Sequence, residues 1–289
     1  MLVLFTDTDT DLTPVEAKKY GYHLISMPYF IGEKEIYPYE DFDEFKSHEF
    51  YDMLRGGVLP TTSGLSPQKY IDYFEPHFKN GDDIFYVTFS QAMSGTFSAM
   101  NLALEELKEK YPDRKLYTID TKGISALSLA VVREVGDLYL QGKTIDEILD
   151  WAKKEVDHFA FYFYADNVKF FQRSGRVSGI AGFFANLLNI HPIIFIDTDG
   201  QMKTCGKENG RNKSLSKIIT YMEQLGDHIK DYHIGISHTD LPELAEKLKN
   251  MIIERFGEGL EISVDVCNPT AGSHSGPDGV GVAFHAIHR

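Results

Sequence analysis

The chain has 289 residues and a formal net charge of −14, with 43% hydrophobic and 25% charged residues. This composition is typical of a folded globular protein and excludes a disordered or collagen-like chain. The excess of negative charge argues against nucleic acid as a partner, because nucleic-acid binding needs a basic face that displaces phosphate counterions.

Strand and helix signals alternate through the first half of the chain. Strands are predicted at Met1–Thr6, Leu24–Ile31, Ile84–Phe89 and Leu116–Ile119. Helices are predicted after the Thr13 cap, over Asp41–Leu54, after Ser66-Pro67, from the loop at Ser90 to Lys110, over Ile124–Leu140, and after the capping box Thr144–Glu147. Strand–helix alternation at this spacing predicts a parallel α/β sheet.

The second half begins with the aromatic run Phe159–Ala165 and shows a different pattern. We predict an apolar helix from about Ser178 to Leu188, helices at Lys213–Leu225 and Leu241–Phe256, and strands at His191–Ile196, Gln201–Thr204, His233–Ser237 and Glu261–Val266. Asp197–Gly200 has the composition of a hairpin turn, and the chain ends in a Gly-rich loop and a final strand. The sequence therefore predicts two closely packed domains, a parallel α/β domain at 1–157 and a mixed α/β domain at 158–289.

Cysteine use and the N-terminal segment bear on the compartment. Cys205 and Cys267 are too few for a disulfide framework and are not spaced as a metal motif, so we expect two reduced thiols. Acidic residues begin at Asp7, and no run of about 18 apolar residues occurs. We expect a cytoplasmic protein with no stable membrane insertion.

The loop Ser90–Thr96 is the first candidate binding element. It follows a predicted buried strand and opens a helix, so a parallel sheet would place it at the carboxyl edge where ligands bind. Ser94 stands beside the first helical N–H groups, and its hydroxyl and those amides could hold an anion. The alternative is that Ser94 only caps its own helix.

Two further loops carry candidate residues. Thr61–Gly64, with Thr62 among its hydroxyls, also opens a helix and could bind an anion, although ordinary capping explains the same pattern. His274 lies within the Gly-rich stretch Gly272–Pro277 and could donate to an anion or act as an acid or base, the alternative being an exposed loop histidine. We expect His191 and His238 to be structural.

Charge patterning adds two features. The segment from Asp166 to Lys217 contains eight basic and four acidic residues, which indicates a docking face or an anion-steering patch, or else a solvated surface. Asp7, Asp9 and Asp11 could hold magnesium, but turn and capping chemistry is the favoured interpretation. We find no nucleophile elbow, P-loop, zinc-binding helix or dinucleotide motif, so no metal site or cofactor is predicted.

Seven landmarks, in order, resemble the DegV family, the bacterial fatty-acid-binding proteins also called FakB. They are T-D-T-D-T-D-L-T at the N-terminus, T-S-x-x-S-P at Thr62–Pro67, S-x-x-x-S-G-T at Ser90–Thr96, I-D-T-K-G-I-S at Ile119–Ser125, S-G-R-V-S-G at Ser174–Gly179, L-L-N-I-H-P-I at Leu187–Ile193 and G-S-H-S-G-P at Gly272–Pro277. The sequence departs from the family pattern at Gly64-Leu65, Ser174 and His191.

The resemblance implies a two-domain α/β protein that buries one long-chain fatty acid between its domains and has no enzymatic activity of its own. It implies that Thr62 and Ser94 bind the carboxylate, with His274 beside the same head group. A partner fatty-acid kinase would then phosphorylate the bound acid. Three arginines, Arg173, Arg176 and Arg211, are implied in the head-group region or in partner docking. Candidate residues for the wall of the tunnel are Phe161, Phe163, Phe183, Phe184, Leu187 and Leu188, although a place in the ordinary core is favoured for any one of them.

Two alternative functions stay open from the sequence. One is a hydrolase or acyltransferase with Ser94 as nucleophile and His274 as base, which would need a group to orient the histidine and an oxyanion hole. The other is a docking protein that acts through its basic segment.

Overall fold

Two main sheets, one from each half of the chain, organise the computed structural model, which describes residues 1–180 and 189–289. The strands of the described residues are β1 (Leu2–Asp7), β2 (Tyr22–Ile25), β3 (Tyr29–Ile31), β4 (Lys34–Ile36), β5 (Thr61–Thr62), β6 (Asp83–Thr88), β7 (Leu116–Asp120), β8 (Phe159–Ala165), β9 (Val177–Ser178), β10 (Ile190–Ile196), β11 (Met202–Asn209), β12 (Ile234–His238), β13 (Ile262–Val266) and β14 (Gly279–His285). The α-helices of the same residues are α1 (Pro14–Tyr20), α2 (Ser47–Arg55), α3 (Pro67–Lys79), α4 (Thr96–Lys110), α5 (Ala126–Leu140), α6 (Ile145–Glu155), α7 (Val168–Ser174), α8 (Arg211–Leu225), α9 (Pro242–Phe256) and α10 (Pro269–Ser275).

The first sheet is parallel, with strand order β2-β1-β6-β7, and it confirms the predicted parallel α/β architecture. Successive side chains of a strand point to opposite faces, so β6 contributes to two cores. Ile84 and Tyr86 pack with residues of α3 and α4, whereas Phe85 and Val87 pack with residues of α5. Because helices cover both faces, the carboxyl edge of the strands is the part of this sheet where polar loops gather.

A small antiparallel sheet, β4-β3-β5, lies beside this edge and corrects one prediction. The single strand expected at Leu24–Ile31 is two strands, β2 and β3, in different sheets. Pro28 lies between them and has no N–H to donate to a ladder, which explains the break. β3 pairs with β5 so that Tyr29 lies opposite Thr62, and this pairing fixes the position of the first hydroxyl loop.

The second sheet is mixed, with strand order β13-β12-β14-β8-β10-β11-β9, and it confirms the mixed α/β architecture of the second half. β8 is buried along its whole length because both of its faces are covered. Phe161 and Phe163 belong to the core shared with α5, whereas Tyr162 and Tyr164 pack with residues of α8 and α9. The division into domains at 1–157 and 158–289 stays a prediction.

Other element predictions agree in part. The hairpin at Asp197–Gly200 is confirmed by the antiparallel pair β10–β11. α2 begins at Ser47 rather than at Asp41, whose carboxylate instead accepts the Tyr37 N–H at 2.7 Å and closes a turn. The predicted helix from Ser178 to Leu188 falls mostly on residues 181–188, outside the described part. None of the helices described is long and apolar enough to cross a bilayer.

Candidate functional site

A cavity of about 300 Å³ lies between the two sheets, at the carboxyl edge of the parallel one. This volume is at the lower end of the range typical of small-molecule sites, about 300–1,000 Å³. Its apolar lining comes from both halves of the chain and includes Leu65, Phe89, Met93, Ile124, Phe161, Phe163, Phe171, Met202 and Val280. Phe161 and Phe163 line the cavity and also belong to the core shared with α5, whereas Phe183, Phe184, Leu187 and Leu188 lie outside the described residues.

The hydroxyl loops of Thr62 and Ser94 both line this cavity, and the sheet-edge argument predicted this place for Ser94. Gly64 makes their close approach possible, because a Cβ atom at this position would lie 3.0 Å from Thr96 Cα. The Leu65 N–H donates to Thr96 Oγ1 at 3.0 Å and ties the two loops together. The departure from the family pattern at Gly64-Leu65 is thus part of the contact between the two loops.

Ser94 is placed just ahead of α4, whose N-cap residue is Gly95. Its Oγ accepts the Thr96 N–H at 3.2 Å, so Ser94 satisfies one of the first helical N–H groups although Gly95 holds the N-cap position. The hydroxyl proton is not used in that bond and remains able to donate to a ligand. Capping and ligand binding are therefore compatible roles for the same side chain.

His274 lies on a helix rather than in a loop, which corrects the sequence-based interpretation. Asn268 caps this helix, α10, by accepting the Ala271 N–H at 2.9 Å, and Pro269 occupies its first turn. The His274 side chain is half-buried in the cavity wall, so it is not an exposed loop histidine. Its Nε2 lies 2.8 Å from Thr62 Oγ1.

The protonation state of His274 follows from its surroundings. Burial, with a smaller contribution from the positive charges of Arg176 and Arg173, lowers the pKa of His274 to about 4. The imidazole is therefore neutral at pH 7. With the proton on Nε2, His274 donates to Thr62 Oγ1, and the Thr62 hydroxyl can donate its own proton into the cavity.

The three arginines lie in different places. Arg176 lines the cavity. Arg173 donates to the Pro60 carbonyl at 3.0 Å and so connects α7 to the segment that leads into β5. Arg211 pairs with Asp166 at 2.5 Å and is not among the described residues that line the cavity. Of the three, Arg176 is thus the one that lines the cavity, and the roles of all three at the head group or in partner docking stay predictions.

His191, expected to be structural, and Asp278 both have partners within the fold. His191 is buried with its Nδ1 3.0 Å from Asp166 Oδ1, which agrees with the structural role expected. Asp278 Oδ1 accepts from Arg55 Nη2 at 2.8 Å.

The pair required by the hydrolase alternative is not made in this structure. His274 Nε2 is bonded to Thr62, and the recorded partner of Ser94 Oγ is the Thr96 N–H. A serine nucleophile needs its base within hydrogen-bond reach, with a third group to orient that base. The arrangement offers donors to an anion rather than a nucleophile and its base.

Sequence reasoning missed several polar residues that share the cavity. Asp9, Ser125, Ser237 and Thr270 line it together with the predicted residues. Asp9 had been noted for magnesium binding or turn chemistry, and the serine and threonine positions carry no local signal. The available clue for Asp9, Ser125 and Ser237 was their place at or after the ends of β1, β7 and β12, where ligands of such sheets bind.

Metal-binding geometry among the described residues does not involve the three N-terminal aspartates. Among the described residues, the side chains whose possible metal-binding atoms converge are His48, Asp52 and Asp240, on the surface. Arg55 already occupies it, with Nη1 2.6 Å from Asp52 and 2.7 Å from Asp240.

Comparisons with known proteins agree with this architecture. The sequence model of the DegV family matches residues 1–286. A DegV domain-containing protein of Clostridium perfringens is 32% identical over 98% of this chain and 96% of its own length.

Solved structures share the fold over nearly the whole chain. A stearic acid-binding protein from Eubacterium ventriosum superposes with a TM-score of 0.86 at 17% identity, over 99% of this chain and 98% of its own. The Streptococcus pneumoniae fatty acid kinase B3 protein, described as loaded with linoleic acid, gives a TM-score of 0.83 at 18% identity, over 99% of both chains.

Proposed function

Because the chain belongs to the DegV family, we propose that it binds one long-chain fatty acid in the cavity and presents the carboxylate to a partner fatty-acid kinase. Thr62 and Ser94 hold the carboxylate, and His274 supports Thr62. The observation that carries the proposal is that these three side chains line one largely apolar cavity, with His274 Nε2 2.8 Å from Thr62 Oγ1.

The head-group chemistry follows from the donors available. A carboxylate accepts several hydrogen bonds, and the Thr62 and Ser94 hydroxyls each have a proton to give. Hydrogen bonds to a charged acceptor are worth about 1.5–3 kcal/mol each. Arg176 adds positive charge at the same cavity, which offsets the acidic character of the protein as a whole.

Burial of the acyl chain supplies most of the affinity. About 15 methylene groups at about 0.8 kcal/mol each contribute on the order of 12 kcal/mol before the costs of ordering the ligand. Phe161 and Phe163 stack at 5.0 Å between ring centroids and present a continuous apolar wall. The hydroxyl groups therefore mainly orient the acid, and the tail keeps it bound.

A surface cleft next to the cavity would allow a kinase to reach the head group. A surface cleft of about 470 Å³ shares Ser94, Arg176 and Met202 with the cavity. The carboxylate end of the ligand therefore lies next to solvent while the tail lies inside. In this proposal the chain itself forms no covalent bond, and the kinase makes the acyl-phosphate.

Lipid extraction of the purified protein, followed by mass spectrometry, tests the binding proposal. We expect a bound long-chain fatty acid in the wild type and at least about 10-fold less in Thr62→Ala/Ser94→Ala, since two charge-assisted hydrogen bonds are lost. Thr61→Ala/Ser98→Ala is the matched control, because both hydroxyls are exposed neighbours outside the cavity lining. Equal retention in the two double variants would contradict the site.

A kinase assay tests the presentation step. Loaded protein, ATP and a bacterial fatty-acid kinase should together give acyl-phosphate, and protein stripped of lipid should give none. Hydrolysis of acyl esters that is lost in Ser94→Ala would support the hydrolase alternative instead.

A further inference from the structure

Three aspartates at the end of β1 look alike in sequence but differ in their bonding. Asp7 accepts hydrogen bonds from Tyr86 Oη at 2.9 Å, from the Phe89 N–H at 3.0 Å and from the Asp9 N–H at 3.0 Å. Asp11 accepts from Asn268 through its backbone N–H at 2.8 Å and its Nδ2 at 2.7 Å, and also from the Ser125 hydroxyl. Both carboxyl groups therefore have hydrogen-bond donors supplied by the fold itself.

Asp9 is the exception. Its side chain lines the cavity and is only 5% exposed, yet its Oδ1 has no hydrogen-bond partner among the described residues. Burial, together with repulsion from Asp7 and Asp11, raises the pKa of Asp9 well above its usual value, which favours the neutral, protonated carboxyl. A buried polar group without a partner costs free energy that a hydrocarbon tail cannot offset.

Two serine hydroxyls lie close to Asp9 in the same cavity. The Ser125 N–H donates to the Asp9 carbonyl at 2.9 Å, which fixes their relative position. Ser125 gives its hydroxyl proton to Asp11, so the Ser237 hydroxyl, 2.8 Å away, donates to Ser125. Ser237 lines the cavity and retains lone pairs that can accept a further hydrogen bond.

We propose that Asp9 and Ser237 form a second polar subsite of the cavity, which binds an uncharged hydroxyl group carried on the chain of the fatty acid. This inference rests on the proposed function and specifies its ligand class as hydroxylated long-chain acids. The ligand hydroxyl accepts a hydrogen bond from the Asp9 carboxyl and donates its own proton to Ser237.

The hydroxyl group is favoured over other ligand groups by its neighbours. A second anionic group would be repelled by the carboxyl groups of Asp7 and Asp11, and an ammonium group would need an ionised Asp9, which burial opposes. A methylene group would leave Oδ1 unpaired. A hydroxyl is neutral and both donates and accepts, so it matches both members of the subsite.

The subsite and the carboxylate-binding residues come from different segments of the chain. Asp9 follows β1 and Ser237 lies in β12, whereas Thr62 lies in β5 and Ser94 precedes α4. The proposal therefore assigns the hydroxyl to the acyl chain and not to the carboxylate end, and a series of positional isomers finds its place along the chain.

Competition binding with octadecanoic acid and a series of hydroxyoctadecanoic acids tests the inference. The members of the series differ only in the position of the hydroxyl. We expect at least one of them to bind wild-type protein about 10-fold or more tightly than the plain acid, the value of one buried hydrogen bond. Asp9→Leu should abolish this preference and bind the plain acid more tightly, whereas Asp9→Asn should retain part of the preference.

Controls separate the possible outcomes. Asp43→Leu removes an exposed carboxylate outside the cavity lining and should behave as the wild type. Plain and hydroxylated acids that bind wild-type protein equally would overturn the subsite and leave the carrier proposal intact, and this comparison holds even where Asp9→Leu does not fold. A preference that survives in Asp9→Leu also overturns it. Failure of every acid to bind overturns the carrier proposal itself.

Discussion

Gly64→Ala tests whether contact between the two hydroxyl loops builds the site. A Cβ atom at residue 64 would lie 3.0 Å from Cα, 3.1 Å from Cβ and 3.2 Å from N of Thr96. Carbon atoms pack best about 3.5–4.0 Å apart, so the loops must separate by about half an ångström. Overpacking of this kind costs about 1–3 kcal/mol of unfolding free energy, which lowers the melting temperature by about 2–8 °C.

The same displacement should weaken fatty-acid binding, because Thr62 and Ser94 each lie two residues from the contact. Loss of one charge-assisted hydrogen bond, about 1.5–3 kcal/mol, corresponds to an affinity about 10-fold lower or more, measured by displacement of a fluorescent fatty acid. Gly206→Ala is the control, since a Cβ atom there makes only ordinary contacts, the nearest with Tyr221 Oη at 3.7 Å, and Gly206 does not line the cavity. Wild-type melting temperature and affinity in Gly64→Ala would refute the reasoning.

Three further substitutions probe the surroundings of the site. Arg176→Ala should raise the pKa of His274 from about 4 only part of the way to 6.5, because burial is the larger cause of the low value. An NMR titration in which the pKa of His274 does not change would contradict an effect of the Arg176 charge on His274. Asn268→Ala removes the cap of α10 and should lower the free energy of unfolding, measured by denaturant melts, by about 0.5–2 kcal/mol. An unchanged free energy of unfolding would show that this cap does not stabilise the protein. Arg211→Ala should leave fatty-acid affinity unchanged, since Arg211 pairs with Asp166 outside the cavity lining; a binding defect would place it at the head group instead.

The pH dependence of stability can be worked out from His274. Its folded-state pKa, about 4, is lower than the unfolded value of 6.5, so the unfolded chain takes up the proton first as the pH falls. The contribution of the neutral imidazole is therefore fully present above about pH 6.5 and is lost between pH 6.5 and 4. Asp7 has the opposite effect. Burial raises its pKa from 3.8 to about 7, so its contribution to stability is present at the acidic end of this interval and is lost as the pH rises toward 7.

The place of Ser94 at the cavity could be predicted because it depends on local rules. Ser94 follows a strand of the parallel sheet and precedes a helix, and such a sheet brings its strand ends to one edge. Pro28 was an equally local signal that the strand from Leu24 should end early. Such features are encoded within a few residues of the position that they govern. Thr62 lies in the antiparallel strand β5, and only the family resemblance implied its place at the same cavity.

Other features depend on contacts between distant parts of the chain. α10 contains Gly272 and ends at Gly276, and it was interpreted as a loop, although it packs against Tyr51, whose hydroxyl lies 2.5 Å from the position of a Cβ atom on Gly272. Asp166, the partner of Arg211, lies 45 residues away in sequence. Nothing near Asp9 distinguishes it from Asp7 and Asp11, since the difference lies in which of them meets Tyr86, Asn268 and Ser125 in the folded chain.

The negative charge of the protein agrees with the binding of an anion when distances are considered. At physiological salt the Debye length is about 8 Å, so carboxylates spread over the surface have little effect on a head group in the cavity. The proposed ligand instead meets two hydroxyl groups and Arg176 directly, and its tail is held by apolar contacts that salt does not screen. Fatty-acid affinity should therefore change only a few-fold between low and physiological salt. A fall as steep as that of a nucleic-acid-binding protein would show that surface charge, rather than the cavity, holds the ligand.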